Sequence, residues 1–331
     1  MDRRTCPRTN LLCDAQMSSR RAAFLIHYDV ELHIEGANVA FEQQLSMRKC
    51  PRALVLTQYR RQTSSSRLQR GETQLDISID FMRRIAHAAA AETLPRFRSQ
   101  GAVANKEQGS FDPVTEADRE AERVIRALIS AEYPDHGILG EEHGSENISS
   151  RHVWVIDPID GTRAFISGLP VWGTLVGLTV DGDAVAGMMS QPFTGELFYA
   201  NASGAHYEGP GGPRRLTTRK TTSLAEATLF TTTPALFKGD ARLRYDLFER
   251  QVQLARYGTD CYAFAMVAAG SVDIVADPGL KPYDIVALIP IIEKAGGVVT
   301  TFEGGPAERG GDILAAATPE LHAAAMAALR G

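Results

Sequence analysis

A short acidic segment that directly follows an apolar run restricts the fold of this chain more than any other feature. The run Val153-Trp154-Val155-Ile156 is typical of a buried β-strand. The next six residues, Asp157 to Thr162 (DPIDGT), place two carboxylates, a glycine and a hydroxyl where that strand ends. Pro158 stiffens the segment, and Gly161 lets backbone N–H groups approach an anion closely. Carboxylates for a hard cation beside free amides for an oxyanion indicate a metal-dependent phosphate site, with a polar turn as the alternative.

Three more acidic blocks occur in the chain: Asp112 to Asp118 (DPVTEAD), Gly140 to Glu142 (GEE) and Pro282 to Ala287 (PYDIVA). Together with Asp157 to Thr162, and in this order, they resemble the motifs of the inositol monophosphatase superfamily of magnesium-dependent, lithium-sensitive phosphatases. The resemblance covers roughly residues 75 to 330. Each block alone is moderately specific, whereas four blocks in the same order argue against chance.

Within that superfamily, the chain is most similar to the histidinol-phosphate phosphatase branch. The similarity lies in Asp260-Cys261-Tyr262, in Phe111 to Thr115, and in Gly279 to Asp284, where the inositol branch usually has a tryptophan before the aspartate. It implies a phosphoric monoester hydrolase that converts L-histidinol phosphate and water to L-histidinol and phosphate in histidine biosynthesis.

Other functions stay open at this point. Inositol 1-phosphate, fructose 1,6-bisphosphate and 3′-phosphoadenosine 5′-phosphate are alternative substrates within the superfamily. A non-catalytic binding protein on the same fold is an alternative of a different class, since a fold does not fix a function. An aspartyl-phosphate mechanism of the haloacid dehalogenase type is disfavoured. It needs an Asp two residues after the nucleophile, and Asp160 lies three residues after Asp157.

The resemblance implies a site for two or three Mg²⁺ ions, which prefer oxygen ligands. The implied ligands are Glu141, Asp157, the carbonyl of Ile159, Asp160 and Asp284. Asp157 is shared between ions. Glu141 and Ile159 complete the coordination of one ion, and Asp160 and Asp284 complete the coordination of a second.

The resemblance also implies how the site acts. A metal-bound water attacks phosphorus directly, oriented by Glu141 and Thr162, with Asp118 in a supporting role. The backbone N–H groups of Gly161 and Thr162 bind phosphate oxygens. Lithium ions are expected to inhibit the enzyme.

Four charged residues have alternative assignments. Asp118 could serve only as a helix cap beside Thr115, and Asp284 could cap the helix that follows it. Glu142 fits a supporting or surface position better than a ligand position. Lys106 lies near the place of a superfamily lysine, but one residue further from Asp118 than expected, and it stays outside the proposed site.

The substrate of this branch predicts acidic groups opposite the metals. Histidinol phosphate carries an ammonium and an imidazole at a distance from its phosphate, and Asp277 and Asp260 are the candidate partners, with Asp284 also reaching the substrate. Arg163 and Arg256 are candidates for phosphate or carboxylate contacts, although an exposed position suits either. The resemblance implies a small phosphorylated metabolite as the substrate and a homodimer as the assembly.

The body of the chain has two parts with different patterns. Residues 71–205 predict an α+β half with an antiparallel-rich sheet, which carries most of the expected metal ligands. Residues 206–331 predict an α/β half that completes the site. They include a helix over 242–255, a strand over 262–269 and a helix over 285–294, which Pro290 kinks or tightens. The resemblance implies that both halves form a layered α-β-α-β-α sandwich.

Composition excludes several classes of protein. The net charge of −5 argues against a basic face for nucleic acid, and no apolar stretch approaches the ~20 residues of a membrane span. Cys261 is the one cysteine after residue 50, so the body has no internal disulfide, which fits a reducing cytoplasm. The eight histidines form no cluster, so the carboxylates are the expected metal ligands.

Residues 1–70 differ from the body. They lack sustained helical or strand periodicity, and residues 1–75 carry 12 Lys and Arg against 7 Asp and Glu. They match neither a secretory signal nor an acid-poor transit peptide, because acidic residues such as Asp29 and Glu42 are present. They are expected to be a disordered extension or the result of a start assigned too early, with Met47 and Met82 as later candidate starts.

Overall fold

The structure, a computed structural model, describes residues 77–99, 103–105 and 113–331. The predicted extension over 1–70, Lys106 and Asp112 lie outside this part. The described helices are α1 (Ile79–Thr93), α2 (Glu116–Glu132), α3 (Thr162–Ile166), α4 (Gly239–Glu249), α5 (Asp260–Ala268), α6 (Pro282–Ile285), α7 (Leu288–Ala295) and α8 (Pro319–Arg330). None of the helices in these ranges is long and apolar enough to cross a membrane.

The described strands form one small pair and two larger sheets. The pair consists of β1 (Val103–Asn105) and β2 (Pro113–Thr115). The first sheet contains β3 (Gly137–Gly140), β4 (Gly144–Glu146), β5 (His152–Asp160), β6 (Gly173–Val180), β7 (Asp183–Gln191), β8 (Glu196–Asn201), β9 (Gly204–Glu208) and β10 (Arg214–Arg215). The second sheet contains β11 (Thr228–Thr231), β12 (Leu254–Tyr257), β13 (Ile274–Leu280), β14 (Val298–Thr301) and β15 (Gly311–Ala316).

The first sheet has the order β10-β9-β8-β7-β6-β5-β3-β4, and its neighbours are antiparallel except for the parallel pair β3–β5. Helices α1 and α2 cover its outer face, where Phe81, Ile85 and Ile125 pack against Trp154 of β5. Val155, on the opposite face of β5, packs into the layer between the sheets. Because both faces are covered, β5 reads as a continuous apolar run.

The second sheet has the order β12-β11-β13-β15-β14. Helices α5 and α7 lie between the two sheets, and Phe264 and Ile291 belong to that central core. Tyr245 of α4 and Leu321 of α8 pack with Leu314 of β15 on the outer face of the second sheet. The layers therefore alternate helix, sheet, helix, sheet, helix, which confirms the predicted fold class.

Two glycines of the first sheet leave room for the junction between α6 and α7 to pack directly against it. Gly177 of β6 lies opposite Gly187 of β7. A Cβ atom on Gly187 would lie 2.1 Å from the carbonyl oxygen of Ala287, and a Cβ atom on Gly177 would lie 2.8 Å from the Ala287 nitrogen. Only glycine permits this approach, so the backbone that follows Asp284 rests directly on the sheet.

Two predicted segments of the second half need correction. The helix predicted over 242–255 ends at Glu249, and β12 follows because it pairs in parallel with β11. The strand predicted over 262–269 is helix α5, which is buried on nearly every side between the two sheets. A helix buried all round has no 3.6-residue apolar pattern, so its sequence resembles a strand. The first sheet also continues to Arg215, beyond the predicted division at residue 205.

The helix predicted over 285–294 is interrupted, as Pro290 suggested. Helix α6 ends at Ile285 and α7 begins at Leu288. Pro290 has no N–H to donate to the carbonyl of Val286, which is the acceptor four residues earlier. The break therefore falls one turn before the proline.

Candidate active site

The segment Asp157 to Thr162 begins inside β5 rather than after it. The strand was expected to end before Asp157, but it continues to Asp160 because it pairs with β6 on both sides of an irregularity. Asp157 pairs with Leu175 and Asp160 with Gly173, so the register shifts by one residue. Side chains alternate along a regular strand, which would send these two carboxylates to opposite faces. The bulge adds one residue and brings both into one cleft.

Two hydrogen bonds hold the bulge. The buried Thr174 donates from Oγ1 to the carbonyl of Pro158 at 2.8 Å, and the backbone N–H of Ile159 donates to Asp157 Oδ1 at 3.1 Å. Pro158 leaves no N–H unpaired at the irregular position, which is why a bulge accepts proline. The proline predicted to stiffen a loop therefore supports a bulge within the strand.

Glu141 reaches the same place from the neighbouring strand. Strands β3 and β5 run parallel, with Gly140 opposite Ile156. The backbone N–H of Glu141 donates to the carbonyl of Ile156 at 3.1 Å. Because the carboxyl ends of parallel strands meet at one edge of a sheet, Glu141 and Asp157 emerge side by side.

Asp284 joins these residues from α6. Its Oδ2 atom accepts the backbone N–H of Lys281 at 2.7 Å, so Asp284 caps this short helix and also faces the cleft. One oxygen atom from each of Asp157, Asp160 and Asp284 lies within 4.8 Å of the other two. Three carboxylates this close together match the donor set of a divalent cation site.

Burial, with a smaller contribution from the neighbouring carboxylates, raises the pKa values of the cluster. Burial raises the pKa of Asp157 well above its usual range, and Glu141 adds to the rise. Burial also raises the pKa of Asp160, with a further contribution from Asp284. The pKa of Asp284 is raised to about 6, chiefly by burial. A bound cation would favour the ionised form of all three.

Helix α5 begins against Asp160. The backbone N–H of Cys261 donates to Asp160 Oδ1 at 2.8 Å. Asp260 has a φ of 41°, a left-handed conformation that residues other than glycine rarely adopt. Burial raises the pKa of the Asp260 carboxyl, while Thr232 and Arg163 oppose the rise. Strained backbone of this kind clusters at functional sites, which supports a binding role for the start of α5.

The chain after Asp160 turns into α3 through Gly161, which has a φ of 81°. Thr162, the first residue of α3, donates from Oγ1 to the carbonyl of Ile159 at 3.1 Å. The Ile159 carbonyl, an expected metal ligand, thus lies next to the Thr162 hydroxyl, which is expected to orient water.

These residues line a cleft of about 320 Å³. The predicted site residues that it brings together are Glu141, Asp157, Ile159, Asp160, Gly161, Thr162, Arg163, Asp260, Asp277 and Asp284. Within the described lining, Arg163 is the one basic side chain, beside six carboxylates. The cleft therefore has a strong excess of negative charge for cations to neutralise.

Asp277 lies in the cleft but is held by the second sheet. Its Oδ1 atom accepts from Thr231 Oγ1 at 2.7 Å and from the backbone N–H of Thr232 at 2.6 Å, and its Oδ2 atom accepts from Thr232 Oγ1 at 3.2 Å. Burial raises the pKa of Asp277 to about 6. These bonds join β11 to β13 beside the cleft, so the side chain has a structural task in addition to any contact with substrate.

Two predicted residues lie outside the lining. Asp118 is buried, and its Oδ2 atom accepts the backbone N–H of Thr115 at 2.8 Å and the Thr115 hydroxyl at 2.6 Å, which forms the predicted cap of α2. In the described part of the chain, its Oδ1 atom has no hydrogen-bond partner. Burial raises the pKa of Asp118, and nearby Glu141 adds to the rise. Arg256 is exposed on edge strand β12, so the geometry gives no support to its predicted contact with substrate.

Thr232 and Glu122 were not predicted to matter. Thr232 lines the cleft, and its backbone N–H donates to Asp277. The feature of the sequence that could have indicated this role is the run of threonines at the end of the predicted strand. Glu122 is buried one turn after Asp118 and accepts the backbone N–H of Glu142 at 2.6 Å. The sequence could have indicated Glu122 by its spacing of four residues from Asp118, because that spacing places both acids on one face of a helix.

Known proteins resemble the chain over the body that carries this site. The model of the inositol monophosphatase family matches residues 75–331. The bifunctional phosphatase IMPL2, chloroplastic, of Arabidopsis thaliana is 39% identical over 70% of this chain and 66% of its own length. The histidinol-phosphatase of Chlorobaculum parvum is 38% identical over 58% of this chain and 73% of its own length. The structure of an inositol monophosphatase from Zymomonas mobilis matches with a TM-score of 0.68 and 35% identity, covering 76% of this chain and 97% of that one.

Proposed function

The chain belongs to the inositol monophosphatase family and is a phosphoric monoester hydrolase, and from this premise we propose that it hydrolyses L-histidinol phosphate with Mg²⁺ as its cofactor. One observation carries the choice of substrate. Two carboxylates, Asp260 and Asp277, line the cleft in addition to the cluster of Asp157, Asp160 and Asp284. They provide acidic partners for a cationic group on the part of the substrate away from its phosphate.

The cluster fits divalent cations by its chemistry. Its donors are carboxylate oxygens, which favour Mg²⁺ over softer metals. Burial and mutual repulsion raise the pKa values of Asp157 and Asp160, and a cation would relieve this cost. The proposed ligands are Glu141, Asp157, the Ile159 carbonyl, Asp160 and Asp284. When bound, two or three Mg²⁺ ions would neutralise the phosphoryl oxygens and activate water.

The protein groups would orient the ester and the attacking water. We assign the backbone N–H groups of Gly161 and Thr162 to phosphate oxygens, because oriented amides stabilise charge without reorganising. The Thr162 hydroxyl and the Glu141 carboxylate would align the water. Asp118 would support the site from outside its lining, because it fixes the start of α2 through its two hydrogen bonds from Thr115. Arg163 would offset part of the negative charge near Asp260.

Asp260 is the stronger candidate for the contact with the substrate cation. Asp277 already accepts three hydrogen bonds from Thr231 and Thr232. The side chain of Asp260 interacts with Thr232 and Arg163 and lies at the strained start of α5. A hydrogen bond from an ammonium or imidazolium group to Asp260 would contribute about 1.5–3 kcal/mol.

The variant Asp260→Asn tests this substrate assignment, because asparagine tolerates the left-handed backbone and removes only the charge. We expect kcat/KM for L-histidinol phosphate to fall about 10- to 100-fold, which corresponds to the hydrogen-bond energy above. For inositol 1-phosphate, whose ring is an uncharged polyol, the expected loss is under about 3-fold. Arg256→Gln, on the exposed edge strand, is the control and should change neither value. Equal losses for both esters would contradict the assignment of Asp260.

A homodimer and a cytoplasmic location belong to the same proposal. The family resemblance implies the first, and the single cysteine of the body fits the second. Sedimentation velocity of the purified chain tests the assembly, and a monomer at working concentrations would contradict it.

A further inference from the structure

A second buried acid, Glu122, lies next to the candidate active site without lining it. Its side chain on α2 is 0% exposed, which is rare for a glutamate unless it is paired. Arg126, four residues later, donates from Nε to Glu122 Oε1 at 2.7 Å. The backbone N–H of Glu142 donates to Oε2 at 2.6 Å, and that of His143 donates to Oε1 at 3.1 Å. Three donors from a helix and a turn thus converge on one carboxylate.

The turn that Glu122 holds is the one that carries Glu141. It joins β3 to β4, and Glu141 is its first residue. Arg126 extends the contact, because its Nη2 donates to the carbonyl of Gly144 at the far side of the turn. On the opposite side, the N–H of Glu141 is bound to the carbonyl of Ile156. The backbone of Glu141 is therefore fixed between α2 and β5.

Two further observations show that α2 and the turn are fitted to each other. His143 Nε2 donates to the carbonyl of Arg119 at 3.0 Å, so Arg119, Glu122 and Arg126 all contact the turn from one face of α2. Gly140 comes so close that an added Cβ atom would lie 1.9 Å from Glu122 Oε1. Any larger residue at 140 would displace the carboxylate.

We propose that Glu122 is a positioning residue for metal binding, acting through the turn that aims Glu141 at Asp157. The inference rests on the proposed function, in which Glu141 is a metal ligand. Residues that orient metal ligands through hydrogen bonds commonly contribute 10- to 100-fold to metal affinity. Loss of the Glu122 carboxylate would free the N–H groups of Glu142 and His143, and the turn would no longer hold one conformation.

The test is the binding of Mg²⁺ to the metal-free full-length protein, measured by calorimetry so that it does not depend on catalysis. Glu122→Gln keeps the shape of the side chain but replaces one acceptor oxygen by a donor. We expect its Kd for Mg²⁺ to rise about 10-fold or more. Arg126→Gln leaves the Glu122 carboxylate in place but removes the hydrogen bond to the carbonyl of Gly144, so it should also raise the Kd. It replaces Glu122→Gln in the test if that variant fails to fold.

The matched control is Asp273→Asn. Asp273 is another fully buried acid, which accepts from Arg219 Nη1 at 3.0 Å and from the backbone N–H of Thr228 at 2.8 Å. It lies at the opposite end of β11 and β13 from the cleft. We expect Asp273→Asn to lower the melting temperature as Glu122→Gln does, while its Kd for Mg²⁺ stays within about 2-fold of wild type.

Glu141→Gln separates failure of the inference from failure of the proposed function. If Glu141→Gln weakens Mg²⁺ binding and Glu122→Gln does not, the positioning role of Glu122 is wrong while the ligand set stands. If Glu141→Gln leaves the affinity unchanged, the proposed ligand set is wrong and the inference falls with it. An equal loss of affinity in Asp273→Asn would also overturn the inference, because it would show a general effect of destabilisation.

Discussion

At the scale of single residues, two Asp-Pro pairs shape the cleft. Asp157-Pro158 lies in β5 and Asp277-Pro278 lies in β13, and the strand register shifts just after each aspartate. Proline suits both positions because it has no N–H to leave unpaired at a bulge. Both aspartates line the same cleft, one from each sheet. The same local device therefore places a buried carboxylate at the site from two different sheets.

Loss of one cluster carboxylate should remove nearly all activity. We expect Asp157→Asn or Asp284→Asn to lower kcat by about 10³-fold or more, because the charge stabilisation of the phosphoryl group depends on these anions. Phosphate release in saturating Mg²⁺ is the measurement. Asp183→Asn, an exposed acid on β7, is the control and should keep wild-type kcat. Near-normal kcat in both cluster variants would contradict the ligand assignment.

The raised pKa of Asp284 predicts that, without metal, removal of its charge stabilises the folded protein at neutral pH. A folded-state pKa of about 6, above the ordinary value of 3.8, means that the folded protein holds this proton more tightly than the unfolded chain. The stabilisation is complete below about pH 4 and is lost as pH rises through about 6. Metal-free Asp284→Asn should therefore be more stable than wild type at pH 7.5, by on the order of 1–3 kcal/mol.

Calorimetric unfolding in a chelator at pH 7.5 and pH 4.5 tests this expectation. The difference between Asp284→Asn and wild type should shrink at the lower pH, where Asp284 of the wild type is protonated. In saturating Mg²⁺ at pH 7.5, the wild type should become more stable than Asp284→Asn, because a bound ligand stabilises the folded state and the variant binds Mg²⁺ weakly. A metal-free variant less stable than wild type at pH 7.5 would contradict the raised pKa of Asp284.

At the scale of elements, the position of Asp284 depends on how α6 and α7 rest on the first sheet. The backbone of Ala287 contacts Gly177 and Gly187, which are paired across β6 and β7. This contact fixes the chain that follows β13 of the second sheet against the first sheet, three residues after Asp284. It therefore sets the distance between Asp284 and the carboxylates of β5.

Gly187→Ala should disturb both stability and the metal site. Its Cβ atom would overlap the Ala287 carbonyl, so the junction must move, at a cost of about 1–3 kcal/mol in the free energy of unfolding. We expect a lower melting temperature and a higher Mg²⁺ concentration at half-maximal activity. Gly305→Ala is the control, since its nearest neighbour would be Thr301 Oγ1 at 3.5 Å, an ordinary contact. A Gly187→Ala protein that loses stability but needs no more Mg²⁺ would show that the junction does not position Asp284.

The cluster of Asp157, Asp160 and Asp284 could be expected from the sequence because its members lie in motifs that resemble those of the superfamily, and the structure brings these three side chains together. It did not reveal the bulge in β5, because the register depends on pairing with β6, which the local sequence does not specify. Helix α5 was mistaken for a strand because it is buried on all sides and lacks an amphipathic pattern. The hydrogen bond from Thr231 to Asp277 could not be predicted either, since the two residues are 46 positions apart in the chain.

At the scale of the whole molecule, both sheets contribute to one cleft. Asp157 and Asp160 come from the first sheet, whereas Asp277 comes from the second. The described body begins at Ile77, which is fully buried, and its carbonyl accepts a hydrogen bond from Asn201 Nδ2 at 3.0 Å. Within the described ranges, the core and the cleft use residues from Ile77 onward, and the family match begins at residue 75.

A chain that starts at Gly71 should keep its melting temperature and kcat/KM within error, because residues 1–70 precede every residue of the proposed site. A chain that starts at Met82 should lose soluble expression, since it lacks the buried residues Ile77 and Phe81. Thermal unfolding and phosphate release from both chains are the measurements. Loss of solubility or activity on removal of residues 1–70 would show that they take part in the folded protein.

Phosphate release by the wild-type protein from a panel of esters, with Mg²⁺ and with excess chelator, is the most direct test of the proposed function. The panel consists of L-histidinol phosphate, inositol 1-phosphate, fructose 1,6-bisphosphate and 3′-phosphoadenosine 5′-phosphate. We predict the highest kcat/KM for L-histidinol phosphate, loss of activity in chelator and its recovery when Mg²⁺ is restored. Faster hydrolysis of another ester would contradict the substrate, and full activity in excess chelator would contradict the metal site itself.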